Sequence, residues 1–332
     1  MTKEQFHIAI RVSTDPRYGY GHIARQIALR KHFGVRVIWF TDPGGKQTLP
    51  DYIADWDDIK EETDKNICDK LFQWGNINTN SVLICDSYHL APSLFKKCAN
   101  KVFFFCDHEQ ERVSKNITLV NTQPTAHPSK RHLFGPAYFA IDTKEKAQQT
   151  LDFAGLHMPV NCLISFGSVD SGNLTGKTLT AIINHSELRS LLRPICVLGT
   201  HFEFKESIKE QLHAFPSAEI LDGVDSLLNL PISCSVAVGA PGLSHAERLY
   251  MGIATVLIPQ NPNHAELCKA WEKLGCGLQA SSKLEDISRC LIHLSENKFL
   301  IAQSLSTNGQ KIINGKGAAK IANFILKDNV YV

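Results

Sequence analysis

Residues 11–25, RVSTDPRYGYGHIAR, narrow what this chain can become more than any other stretch. The residues before them, 6–12 (FHIAIRV), are apolar and β-branched and predict a buried strand. After them, Ile23, Ile27, Ala28 and Leu29 recur at helical spacing. A strand that feeds a glycine turn and then a helix aims backbone N–H groups and a helix dipole at an anion. Gly19 and Gly21 remove the Cβ atoms that would block a close approach. Their spacing is not that of the dinucleotide fingerprint GxGxxG. His22 stands at the mouth of this turn, where an imidazole can take a proton or merely cap the helix start.

The alternation continues. Residues 35–40, 81–86 and 101–107 are further short apolar strands, and strands of this kind separated by helices predict a parallel sheet. Ligands of such sheets bind outside the carboxyl ends of the strands. His22, Asp86, Tyr88 and Asp107 all fall at that edge. The acidic stretch 51–64 reads as a solvated helical face, and the polar residues 140–158 as a hinge or connecting helix. A second alternation starts at residues 161–168 (NCLISFGS), with Asn173 or Ser171 as a candidate N-cap. RPICVLG, AEILDGV, CSVAVGAP and ATVLIPQ follow as strands, the last two succeeded by the helices GLSHAERLYMG and NHAELCKAWEKLG. Gly167-Ser168 and Ala240-Pro241-Gly242 are two more strand-to-helix turns of anion-binding type. Glu247, one turn into the helix after Gly242, can accept hydrogen bonds from a ribose diol or serve as an ordinary acid of a first helical turn. The expectation is an α/β protein of two lobes facing each other, residues 1–145 and 155–332.

Totals narrow the function. A chain of 332 residues exceeds the usual single core, in keeping with two domains. A net charge of +2 gives no electrostatic case for nucleic acid. No apolar run approaches the ~20 residues of a membrane span, and MTKEQ lacks the features of a signal peptide. The cysteines form no CxxC pair. Cys85, Cys106, Cys162, Cys196 and Cys234 lie in or beside predicted strands as reduced small hydrophobes, which predicts a cytoplasmic protein. His185, His201 and His213 lie in unrelated segments, so no metal site is expected, and no cofactor.

The blocks together resemble a known family. Arg11, Gly19-Tyr20-Gly21-His22 and Arg25 match an R…GxGHxxR signature, and FGSVDSGNLT (166–175) resembles a GG(S/T)D…NLT block. GAPGLSHAERLYMGIATVLIP…NPNHAELCKAWEKLGCG resembles the nucleotide-binding module of GT-B glycosyltransferases. With CDSYHL and FGPAY (134–138), the chain is similar over about residues 6–280 to the UDP-2,4-diacetamido-2,4,6-trideoxy-β-L-altropyranose hydrolases of pseudaminic acid synthesis. That family is related to the UDP-N-acetylglucosamine transferase that makes lipid II. The resemblance implies a GT-B-like fold of two Rossmann-like lobes facing a central cleft. It implies His22 as the catalytic histidine, Tyr88 as the motif tyrosine, Glu247 as the ribose ligand and Asn263 as a sugar-side asparagine. Arg11, Gly19, Gly21, Asp86, Tyr138, Ser168, Gly242, Leu243 and Ser244 fall in matching blocks and are expected to bind substrate. Two positions depart from the pattern: Ser13 stands where the family has Asp, with Asp15 nearby, and His264 stands where it has Gln. Both are expected to face the sugar or diphosphate, so the sugar is expected to differ while the nucleotide remains uridine.

The chemistry follows from elementary requirements. A sugar nucleotide already carries a good leaving group, so the paired carboxylates of glycosidases are unnecessary. One base to activate the nucleophile, with donors for the departing phosphate, is enough. The expected activity is inverting hydrolysis of a UDP-diacetamido-trideoxy sugar, with His22 as base and Tyr88 orienting water or sugar. The alternatives are a GT-B glycosyltransferase using a UDP-sugar donor and an inactive nucleotide-sugar binding protein. The expected partner is a small-molecule nucleotide sugar, without nucleic acid. The acidic stretch 51–64 argues against stable membrane association or a lipid-bound acceptor.

Overall fold

A computed structural model describes residues 6–15, 20–78, 80–98, 100–107, 112–143, 148, 151–199, 201–215 and 217–327. The chain forms two compact units, Met1–Asp142 with Gly315–Val332, and Thr143–Asn314. The first unit runs β1 (His7–Val12), α1 (Gly21–Arg30), β2 (Val37–Thr41), α2 (Asp51–Trp56), β3 (Asp58–Glu61), α3 (Asp64–Ile77), β4 (Ser81–Asp86), β5 (Lys101–Phe105), β6 (Ile117–Asn121) and β7 (Leu133–Phe134). These strands form one sheet in the order β3-β2-β1-β4-β5-β6-β7, every neighbouring pair parallel. Both faces are covered, which is why the strands read as continuous apolar runs. Ile8, Ile10, Val82, Ile84, Phe103 and Phe105 face one cluster, while Ala9, Leu83, Cys85, Val102 and Phe104 face the other.

The second unit runs β8 (Val160–Ser165), α4 (Leu174–Ile183), α5 (Ser186–Leu191), β9 (Leu192–Leu198), α6 (Lys205–Leu212), β10 (Glu219–Asp222), β11 (Val236–Gly239), α7 (Leu243–Tyr250), β12 (Ala254–Leu257), α8 (Pro262–Lys273), β13 (Leu278–Gln279) and α9 (Leu284–Ile312). Its sheet is also all parallel, ordered β10-β9-β8-β11-β12-β13. Counted from its own first strand, that is the same 3-2-1-4-5-6 order as in the first unit, the doubly wound arrangement of Rossmann-like folds.

Three expectations need correction or limit. The last helix, α10 (Gly317–Lys327), belongs to the first unit, not to the second lobe that residues 155–332 were expected to form. Its stripe of Ala318, Ile321, Ala322 and Ile325 recurs at helical spacing and is buried with Ile8, Ile10, Ile23 and Ile27. Gly317 makes the approach possible, since a Cβ there would lie 2.1 Å from the Phe139 carbonyl oxygen. The acidic stretch 51–64 is not one solvated helix. It holds the six-residue α2 and the edge strand β3, and Asp57 between them is buried. Asp57 accepts a bidentate pair from Arg30 at 2.6 and 2.7 Å and the Trp39 indole N–H at 2.8 Å. Six of the nineteen residues of the expected hinge, 144–147 and 149–150, lie outside the described residues. The ten cysteines are all free, and nine are buried. Among the described residues, no helix is long and apolar enough to cross a membrane.

Candidate functional site

In the first unit the strand order reverses between β1 and β4, where Val12 is in register with Asp86. Reversal leaves a crevice outside the carboxyl ends of the two strands. Asp86 ends β4 there, fully buried. Its carboxylate accepts from Arg25 twice, Nε at 2.6 Å and Nη2 at 2.5 Å, from Gln26 Nε2 at 2.7 Å, and from His22 Nδ1 at 2.5 Å. Burial works to raise the Asp86 pKa. The charges and hydrogen bonds of Arg25 and His22 outweigh it and hold the carboxyl well below the usual carboxylate range. An ionised carboxylate can only accept, so Nδ1 of His22 carries the proton and Nε2 remains as the basic nitrogen. The 3.1 Å approach of Arg25 Nη2 to the same Nδ1 then brings two donors together, a consequence of their shared carboxylate.

A second carboxylate completes the cluster. Asp107, just beyond β5, accepts from the Tyr88 hydroxyl at 2.6 Å and from Arg25 Nη1 and Gln123 Nε2 at 3.2 Å each. The Tyr88 ring meets the His22 imidazole edge-on, with centroids 4.5 Å apart and planes at 89°. Arg25 also lies over the Phe105 ring, 5.3 Å from its centroid. Gly21 opens α1. Its φ is not left-handed and a Cβ there would meet nothing within 4 Å, so the fold itself does not demand glycine. The first turn of α1 has neither a capping side chain nor an acid. Gly19 lies outside the described residues.

Other expected contacts sit deeper. Arg11 is fully buried and donates to the Val12 and Phe40 carbonyls and to Asp42. Ser13 is buried beside it, with its hydroxyl 3.2 Å from Asp42 and its N–H on the Asp86 carbonyl. Asp42 also accepts the Thr14 N–H at 2.6 Å. These residues shape the β1 loop from behind. Tyr138 packs partly buried against the core that holds α10.

The second unit repeats the plan. Its order reverses between β8 and β11, with Ser165 in register with Gly239. Arg248, fully buried, donates to the carbonyls of Ala240 at 2.6 Å and Ser165 at 3.5 Å, tying the two strand ends together; burial pushes its pKa down to about 10. A Cβ at Gly239 would collide with the Ser165 carbonyl oxygen at 2.3 Å. α7 starts after Gly242, where a Cβ would meet nothing within 4 Å, and again its first turn has no acid and no side-chain cap. Leu243 and Ser244 are half-buried in that turn. Glu247 is 7% exposed and accepts from the Ser226 hydroxyl at 2.6 Å and the Leu227 N–H at 3.2 Å.

The turn at Gly167-Ser168 is different. The α4 N–H groups of Leu174 and Thr175 bond to the buried Asp170 carboxylate at 2.9 and 2.8 Å, and Asn173 caps Gly176. That helix start already holds an anion of its own, so an anion near Ser168 must be met by the loop. Asn263 is exposed in the first turn of α8, capped by Asn261, and the half-buried His264 has its pKa lowered by burial. Sequence reasoning passed over Gln26, Gln123, Asp170, Ser226 and Arg248. All but the half-buried Ser226 are buried polar residues that the apolar pattern gives no reason to place inside.

Fold and site define a class: a GT-B fold, two Rossmann-like units in one chain, with a histidine–carboxylate pair at one sheet switch point and a buried glutamate near the other. Comparisons with known proteins agree on the fold. MurG of Acinetobacter baumannii is 13% identical, covers 97% of this chain and 99% of its own, and has a TM-score of 0.69. The spinosyn rhamnosyltransferase SpnG complexed with thymidine diphosphate is 10% identical, covers 96% and 100%, and has a TM-score of 0.65. In sequence, the uncharacterized protein MJ1062 of Methanocaldococcus jannaschii is 21% identical over 325 residues, 90% of this chain. The chain spans 66% of that relative's length. No protein-family model matches the sequence.

Proposed function

We propose that this chain is a GT-B enzyme that transfers a sugar from a nucleoside diphosphate donor to an acceptor hydroxyl. The observation that carries the reading is the His22–Asp86 pair, which leaves Nε2 as a base at the switch point of the first sheet. In the proposed reaction the acceptor oxygen bonds to the anomeric carbon with inversion as its proton moves to Nε2. The anomeric C–O bond to phosphate breaks, and the nucleoside diphosphate leaves with the electron pair. Two carboxylates face the single guanidinium of Arg25, so a proton arriving on His22 brings the cluster to neutrality. The nucleotide is assigned to the second unit, where the uncapped α7 start suits a diphosphate and Glu247 suits a ribose diol. A diol favours uridine over the deoxyribose of thymidine diphosphate, the nucleotide in the SpnG complex.

Hydrolysis, with water as the acceptor, is the second reading. It is supported by the order of the R…GxGHxxR and FGSVDSGNLT blocks, and by the burial of His22, 5% exposed, which suits a nucleophile as small as water. On that reading the substrate is a UDP-diacetamido-trideoxy sugar and the product feeds a pseudaminic-type acid. One experiment tests both. The purified protein is incubated with a panel of UDP- and dTDP-sugars, with and without acceptors, and free nucleoside diphosphate and sugar are measured. Release that depends on an acceptor supports transfer, and release of free sugar without one supports hydrolysis. A protein that binds UDP but releases none from any donor overturns both.

A further inference from the structure

His22 is held from two directions. Asp86 fixes Nδ1, and the Tyr88 ring stands edge-on to the imidazole at 4.5 Å. Tyr88 lies on the loop after β4 and is 51% exposed, so packing alone does little to hold it upright. Its hydroxyl anchors it, donating to Asp107 Oδ2 at 2.6 Å. Asp107 is in turn steadied on its other oxygen by Arg25 and Gln123. A phenol has one proton to donate. With that proton on Asp107, the Tyr88 hydroxyl cannot also donate to a substrate. Burial, and then the neighbouring Asp107 charge, keep the phenol protonated far above its ordinary range.

We propose that Asp107 is a positioning residue that sets the orientation of the His22 imidazole through Tyr88, whose ring rather than whose hydroxyl is its working part. Only the kinetic arm of the test rests on His22 being the base of the proposed reaction. The spectroscopic arm uses the ligand-free 332-residue chain with labelled histidine, the His22 signals being those lost in His22→Gln. An aromatic ring 4.5 Å away shifts the His22 ring protons by its ring current. Tyr88→Leu, at a half-exposed position, removes that ring and defines the full loss of the shift. Asp107→Ala and Tyr88→Phe each keep the ring but break its anchor, and each is expected to lose at least half of that shift. Tyr88→Phe deletes a single hydroxyl, so it reports even if Asp107→Ala fails to fold. His22 signals that stay at their wild-type positions in Tyr88→Phe overturn the proposal, whatever the kinetics. In the kinetic arm, with any donor turned over in the panel above, Tyr88→Phe and Asp107→Ala each lower kcat by roughly 3- to 30-fold at unchanged KM. The double variant falls no further than the worse single one, the signature of two residues acting as one device. Fold-losses that multiply in the double variant overturn it. Spectral loss without turnover of any donor leaves the proposal standing and removes the proposed reaction.

Discussion

His22 and Ser13 are neighbours in the chain's opening turn, yet their surroundings make opposite demands on a substitution. His22→Gln keeps a polar side chain near Asp86 but removes the basic Nε2. Turnover is expected to fall by roughly 10²–10⁴-fold, the usual loss for a general base, while calorimetric UDP affinity stays within a few-fold. Wild-type turnover in that variant removes His22 from the mechanism. Ser13→Asp was expected from sequence to move substrate preference. Its hydroxyl rests on Asp42, so a carboxylate at 13 is buried against a second carboxylate. Stability is expected to drop by about 2 kcal/mol or more, read as a lowered Tm. An unchanged Tm refutes this. The difference between the two residues shows what a sequence discloses. His22, Asp86 and Asp107 were legible because each follows an apolar strand or its glycine turn, and chain order alone places such residues at the sheet's carboxyl edge. The depth of Arg11 and Ser13 was not, because a polar residue is normally at the surface and burial here depends on a partner distant in sequence, Asp42 just beyond β2.

Helix starts and strand ends divide the chemistry among the elements. α1 and α7 begin without a side-chain cap, whereas α4 begins on Asp170. Glycine turns before all three read alike in sequence, and only the folded position of Asp170, four residues ahead of Leu174, tells them apart. The strand ends gather carboxylates instead. Asp86, Asp107 and Asp42 are all pushed upward in pKa by burial and pulled further down by their arginine partners, Arg25 and Arg11, so each lies below its unfolded value. A carboxyl depressed in this way stabilises the fold fully above its unfolded pKa of about 3.9. That contribution is lost as pH falls through the folded value. Tm is therefore expected to drop steeply below about pH 4. Asp86→Asn, already less stable at neutral pH, is expected to show a shallower acid limb in thermal melts from pH 7 to 2. Parallel acid limbs for the two proteins would show that Asp86 does not titrate in this way.

Taken whole, the chain leaves its first unit at Asp142 and returns to it at Gly315. The doubled α/β plan was readable from two rounds of strands and glycine turns, whereas the strand order came only from the folded chain. The return was not, since the stripe of α10 says that one face is buried but not against which partner. Ile321 is fully buried on that stripe. Ile321→Ala is expected to cost about 2–5 kcal/mol. Hydrogen exchange locates the loss: amides of β1 and β4 should exchange faster while those of β8 and β11 keep their protection. Loss of protection confined to β8 and β11 would place α10 with the other unit. The discontinuity also sets an order of events during synthesis. Chains are made at roughly 5–20 residues per second. The nascent first unit therefore waits on the order of 10–40 s between the emergence of Asp142 and that of α10, with the Ile23–Ile27 side of its sheet and helix uncovered. The second unit, continuous in sequence, can close in that interval, so the part of the protein that is translated first is the part that finishes folding last.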